Sequence, residues 1–239
     1  MRDSTVRKIQ RIIFLIGFIA LLWIGLIGAR VAGYGPPGLD GVSPQGVNRA
    51  IFNREIALIS GHAGFDSGAV CEDERGRVTL TEAEINADIA KLVAKRLRKA
   101  GADVVILEEY DDRLENLEAD LLISLHADSC IDASGYKAAV DERSTISTAD
   151  ASLLNCIDTF YPETTALSHH ANSVTHDMTQ YHAFRRIDAT TPAAILEMGF
   201  LGGDKQLLTR SQQYVAKGVS DSVLCFFDPT FQLTPVDAE

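Results

Sequence analysis

Residues 81–101 read TEAEINADIAKLVAKRLRKAG. Apolar side chains fall at Ile85, Ile89, Leu92, Val93 and Leu97. That spacing follows the period of an α-helix and predicts one buried stripe on an otherwise polar cylinder. Thr81 is suited to cap the first turn, with Glu84 at the capping-box position, and Gly101 to end the helix. Short apolar runs lie on either side, EIALIS (55–60) and DVVILEEY (103–110), and both predict strands. A strand, a helix and a second strand in succession form the repeating unit of an α/β sheet. The alternation continues. DLLISLHA (120–127), YKAAVDE (136–142) and AAILEMGF (193–200) predict strands, and ADASLLNCIDTFY (149–161) and QQYVAKGVSDSVLCFF (212–227) predict helices. The expected fold is α/β, with a mixed, mostly parallel central sheet flanked by helices. The domain is expected over residues 55–228, with a tail over 229–239.

Upstream of the domain the composition changes twice. Residues 30–54 are rich in Gly and Pro, carry no apolar period and predict a linker. Residues 12–29, IIFLIGFIALLWIGLIGA, hold no charge. Eighteen apolar residues in a helix cover roughly 27 Å, close to the hydrocarbon thickness of a bilayer, so a transmembrane anchor is expected. The basic residues Arg2, Arg7, Lys8 and Arg11 precede it, in a tail over residues 1–11, and predict a cytoplasmic N-terminus. A cleaved signal peptide is the competing reading, but Ala32 would have Arg30 at its −3 position. Either way the domain is exported, and the expected location is the cell membrane, single-pass, with the domain extracytoplasmic.

The formal net charge is −11, which argues against nucleic acid as a partner. Four cysteines, Cys71, Cys130, Cys156 and Cys225, fit an oxidising compartment. They allow three pairings. Cys71–Cys130 and Cys130–Cys156 are both open, and Cys225 in its apolar run reads equally as a buried small hydrophobe.

Three predicted strands run into a polar residue within apolar surroundings: His62, just beyond EIALIS, His126 and Glu197. Ligands of open α/β sheets gather where strands end, so these three are expected to converge on one site. Histidine nitrogen and carboxylate oxygen are zinc ligands, and a catalytic zinc site keeps one position open. His62 and His126 are candidate ligands, and Glu82 or Glu84 in the first turn of the 81–101 helix can supply the third. A carboxylate at Glu197 has little packing purpose and is suited to general base and acid work.

The segments GHAGFDSGAV (61–70), TEAEIN (81–86), ISLHAD (123–128) and TPAAILEMGF (191–200) resemble, in this order, the motifs of the zinc-dependent N-acetylmuramoyl-L-alanine amidases of the amidase-3 family. The resemblance spans about residues 55–227. It implies one zinc ion held by His62, Glu82 and His126, with Glu82 preferred because it stands four residues before Asn86. It implies Glu197 as the catalytic glutamate and peptidoglycan as the substrate, and it leaves room for a protein activator. The sequence departs from the family pattern at Ala63, where glycine is usual, and at Asp128, where asparagine is usual. LEEYDDRLENLEAD (107–120) is also shorter than the family's corresponding segment. Asp128, His182 and Arg186 are candidate substrate-binding residues.

Overall fold

The computed structural model describes residues 16–18, 21 and 48–232. The expected anchor, most of the linker and most of the C-terminal tail lie outside the described residues. No helix among the described residues is long and apolar enough to cross a membrane.

The elements are β1 (Glu55–Ser60), β2 (Val70–Glu72), β3 (Val78–Thr81), α1 (Glu82–Ala100), β4 (Asp103–Leu107), β5 (Leu121–Asp128), β6 (Lys137–Ala139), α2 (Ser147–Thr165), α3 (His176–Thr179), β7 (Ala193–Phe200), α4 (Lys205–Arg210) and α5 (Gln212–Phe227). Five strands form one sheet in the order β4-β1-β5-β7-β6. β4, β1, β5 and β7 run parallel, and β6 is antiparallel at the edge. The expected α/β architecture is therefore the observed one. YKAAVDE forms a strand only over Lys137–Ala139, and the α2 helix runs two residues earlier and four later than 149–161. The β2–β3 hairpin was not apparent in the sequence, because its strands are short and Val70 and Val78 lie on the surface.

Helix α1 begins and ends where its caps predict. Thr81 Oγ1 accepts a hydrogen bond from the Glu84 backbone N–H at 3.4 Å, and Gly101 takes the left-handed conformation at φ 108°. The stripe Ile85, Ile89, Val93 and Leu97 faces one side of the sheet, where Leu58, Ile123 and Leu196 meet it together with Leu153 of α2 and Val219 of α5. Each such side chain, fully buried, stabilises the fold by about 1.5–3 kcal/mol relative to exposure. The opposite face is covered by Leu114, Met178, Tyr181 and Phe184 from irregular segments and α3. Residues 48–54, expected as the end of a linker, pack onto the domain: the Asn48 and Asn53 N–H groups donate to the carbonyls of Ala100 and Gly101, and Ile51 is fully buried.

Two disulfides close the fold, Cys71–Cys130 and Cys156–Cys225. The alternative Cys130–Cys156 pairing is excluded, and Cys225 is not an isolated hydrophobe. The apolar run around Cys225 is a helix that packs along α2, which brings Cys225 beside Cys156.

Candidate metal centre

The parallel strands deliver their C-terminal ends to one edge of the sheet, and the predicted ligands meet there. Chain direction changes just beyond β1, at Gly61 and His62. A Cβ on Gly61 would lie 2.5 Å from Cε1 of His126, so only glycine lets the two segments approach this closely. His62 follows with φ 65°, a left-handed conformation that costs a non-glycine residue about 1–2 kcal/mol. Two carboxylates hold it there. Its backbone N–H donates to Glu109 Oε2 at 2.8 Å, and its ring Nδ1 faces Asp66 Oδ1 at 2.6 Å.

Glu82 opens helix α1 and sits between the two histidine rings. Its Oε2 is 3.2 Å from His62 Nε2, and its Oε1 is 3.0 Å from His126 Nδ1. Asn86, one helical turn on and fully buried, donates to the Gly61 carbonyl at 3.1 Å and to Glu82 Oε1 at 3.3 Å. Backbone N–H groups of Ala69 and Ala127 also donate to Glu82. Glu84, the alternative ligand, is exposed. One ligand atom each from His62, Glu82 and His126 lies within 4.8 Å of the others. Both histidines turn their second ring nitrogen toward another carboxylate, Asp66 for His62 and Glu109 for His126. That outer arrangement is typical of metal-ligating histidine, so the donor set fits a divalent cation. Substituting Glu82→Ala is expected to reduce bound metal from about one ion per chain to near zero, whereas Glu84→Ala keeps it, as read by elemental analysis after dialysis.

The carboxylates set the protonation of the cluster. For His62, the Glu82 hydrogen bond outweighs burial and raises the pKa. For His126, burial opposes the charged ring, yet Glu109 and Glu82 prevail and hold its pKa up to about 10. Glu82 and Glu109 are correspondingly held below the usual carboxylate range, since their histidine partners overcome their burial.

Glu197 lies in β7 directly opposite His126 of β5, with Lys137 of β6 opposite it on the other side. Directly opposed residues share one face of a sheet, so the three form a row that begins in the cluster at His126. Glu197 Oε2 is buried and has no hydrogen-bond partner among the described residues. Burial is the main cause that raises its pKa to about 7, against the pull of His126.

The remaining sequence-derived candidates divide. His182 reaches the site: its Nε2 is 2.7 Å from Glu109 Oε1 and its ring stacks on Tyr110 at 4.2 Å between centroids. Asp128 reaches the row but is engaged, with Oδ2 2.5 Å from Lys137 Nζ and Oδ1 accepting from the Ser129 N–H. Arg186 is not brought to the cluster; its Nε is 3.7 Å from Glu115 on the adjoining loop. Five participants were not picked out in the sequence: Asp66, Glu109, Tyr110, Tyr181 and Lys137. Glu109 was hidden within an acidic stretch, but it lies two residues past β4, at the same sheet edge as His62.

Comparison with known protein families gives a match over residues 56–225 to N-acetylmuramoyl-L-alanine amidase, Amidase_3. The chain belongs to that family. Among solved structures, the catalytic domain of the CwlV amidase of Bacillus (Paenibacillus) polymyxa var. colistinus is similar over 73% of this chain and 98% of its own, at 23% identity and a TM-score of 0.57. An N-acetylmuramoyl-L-alanine amidase of Clostridium difficile 630 covers 75% of this chain and 99% of its own, at 22% identity and a TM-score of 0.58. The CwlD amidase of Clostridioides difficile, solved in complex with the GerS lipoprotein, covers 73% of this chain and 98% of its own, at 17% identity and a TM-score of 0.54. At these identities the likenesses establish that this amidase shares their fold. A comparison with curated proteins gave no match.

Proposed function

We propose that this amidase hydrolyses the amide between the lactyl group of N-acetylmuramic acid and L-alanine in peptidoglycan, with zinc held by His62, Glu82 and His126 and Glu197 as its general base and acid. The observation that carries the reading is the unpartnered, buried Oε2 of Glu197 in the row beside the three-ligand cluster. A zinc ion in the cluster supplies a Lewis acid that brings deprotonation of water to near-neutral pH. Glu197 takes the proton of the attacking water at its free oxygen. Burial keeps that carboxyl able to retain the proton near pH 7 and to return it to the departing amine of L-alanine. Glu82 and the two carboxylates behind the histidines keep the donors in place. His182 and its stacked neighbour Tyr110, half-exposed at the rim, are the side chains suited to meet the substrate.

The apolar 12–29 segment with its basic flank supports a membrane anchor and an extracytoplasmic domain, where peptidoglycan is found. The two disulfides agree with an oxidising compartment. That CwlD was solved in complex with a lipoprotein supports including a protein partner in the reading of this amidase.

The test is release of stem peptide from purified muropeptides by the zinc-loaded chain. Hydrolysis with kcat/KM falling on the acid side is expected, because Glu197 must be ionised to accept a proton. The limb is expected at or below pH 7, since a bound cation favours the carboxylate. Bound zinc with intact muropeptides, even with candidate activators supplied, would refute the substrate assignment.

A further inference from the structure

Glu109 was not singled out from the sequence, yet it contacts both histidines of the cluster. Its carboxylate is almost fully buried and receives four groups from three parts of the chain. Oε2 accepts the His62 backbone N–H at 2.8 Å and lies 3.4 Å from His126 Nε2. Oε1 accepts the Tyr181 hydroxyl at 2.7 Å and lies 2.7 Å from His182 Nε2. Its own backbone N–H donates to the Ala63 carbonyl at 3.1 Å, so the residue grips the His62 turn from both sides. The two carboxylates at His126 occupy opposite edges of the ring, Glu82 at Nδ1 and Glu109 at Nε2.

We propose that Glu109 is the positioning residue of the metal centre: it keeps the proton of His126 on Nε2, leaves Nδ1 free as the metal ligand, and fixes the left-handed turn that presents His62. A neutral imidazole carries one proton on one of two nitrogens, and the partner of the second nitrogen decides which. His126 Nε2 faces two oxygens at 3.4 Å, Glu109 Oε2 and the Tyr181 hydroxyl. Because that hydroxyl donates its proton to Glu109 Oε1, both can only accept at Nε2, which selects the form whose Nδ1 lone pair points at Glu82. The same carboxylate receives His182, so the residue that meets substrate and the residues that hold metal share one anchor. Glu82 remains the ligand and Glu109 acts through His126 and His62.

This inference rests on the metal reading above, and the test separates the two. Zinc affinity is measured by chelator competition on the full wild-type chain, Glu109→Gln and Glu108→Gln. Glu108 is the exposed neighbour of identical charge. Glu109→Gln is expected to weaken zinc binding about 10–100-fold, since an amide can donate to Nε2 and move the proton to Nδ1, while Glu108→Gln stays within about twofold. In the zinc-loaded wild type, nitrogen-15 NMR is expected to show His126 protonated on Nε2 and metallated on Nδ1. If wild type binds zinc and Glu109→Gln binds it equally well, Glu109 is not the positioning residue and the metal site stands. If wild type binds no zinc, both readings fall. If Glu109→Gln does not fold, the wild-type spectrum decides, and metal on Nε2 of His126 would overturn the proposal.

Discussion

Glu197→Gln is expected to lose muropeptide hydrolysis, with kcat falling about 10²–10⁴-fold, while the protein keeps its metal and gains stability at alkaline pH. The three effects share one cause. Glu197 is buried with an unpartnered oxygen, which suits proton transfer and costs the fold free energy once the group ionises. Its folded pKa is raised from 4.5 to about 7. The penalty is therefore absent below the unfolded value, grows as pH rises from 4.5 and is complete above about 7. A shift of that size corresponds to a few kcal/mol at about 1.4 kcal/mol per unit. The amide of Gln cannot ionise, so the melting temperature of the metal-free variant is expected to exceed wild type at pH 8 and to converge with it at pH 4.5. Elemental analysis should still find the metal. A variant that lost zinc along with activity would remove Glu197 from the role of base and make it part of the cluster.

The second large effect concerns Cys71–Cys130, which spans 59 residues. Replacing both cysteines by Ala is expected to lower the unfolding free energy by about 4 kcal/mol on chain-entropy grounds. The Cys156–Cys225 pair spans 69 residues and its removal is expected to cost a similar amount. The two variants should differ in metal affinity. Cys71 lies in the hairpin that leads directly into Glu82, and Cys130 lies in the loop just after His126. That bridge ties together the segments carrying two of the three ligands, whereas Cys156–Cys225 joins α2 to α5. Melting curves under non-oxidising conditions and zinc competition are the measurements. Equal loss of zinc affinity in both variants would show that only global stability matters.

The candidate ligand cluster was legible in the sequence because each of its members interrupts a strong local pattern. His62 breaks an apolar strand at a glycine turn, Glu82 opens a capped amphipathic helix, and His126 is a polar residue inside a buried strand. Glu197 was legible for the same reason. Glu109 was not, because it stands among Glu108, Asp111 and Asp112, and local composition cannot tell the one carboxylate that turns inward. Lys137 was missed because its importance depends on β6 pairing antiparallel to β7, a choice made by tertiary packing. The disulfide pairing likewise depends on which helices lie side by side. Arg186 was a reasonable candidate by charge, but its guanidinium lies beside Glu115.

The order of the segments along the chain has a consequence for maturation. All three ligands and both ends of the Cys71–Cys130 bridge lie within residues 62–130. Glu197 follows His126 by 71 residues and arrives on β7, which adds to the free edge of β5. In the proposed reading, emergence N-terminus first exposes the proposed metal donors before the proposed base, and the β5–β7 pairing brings the two together.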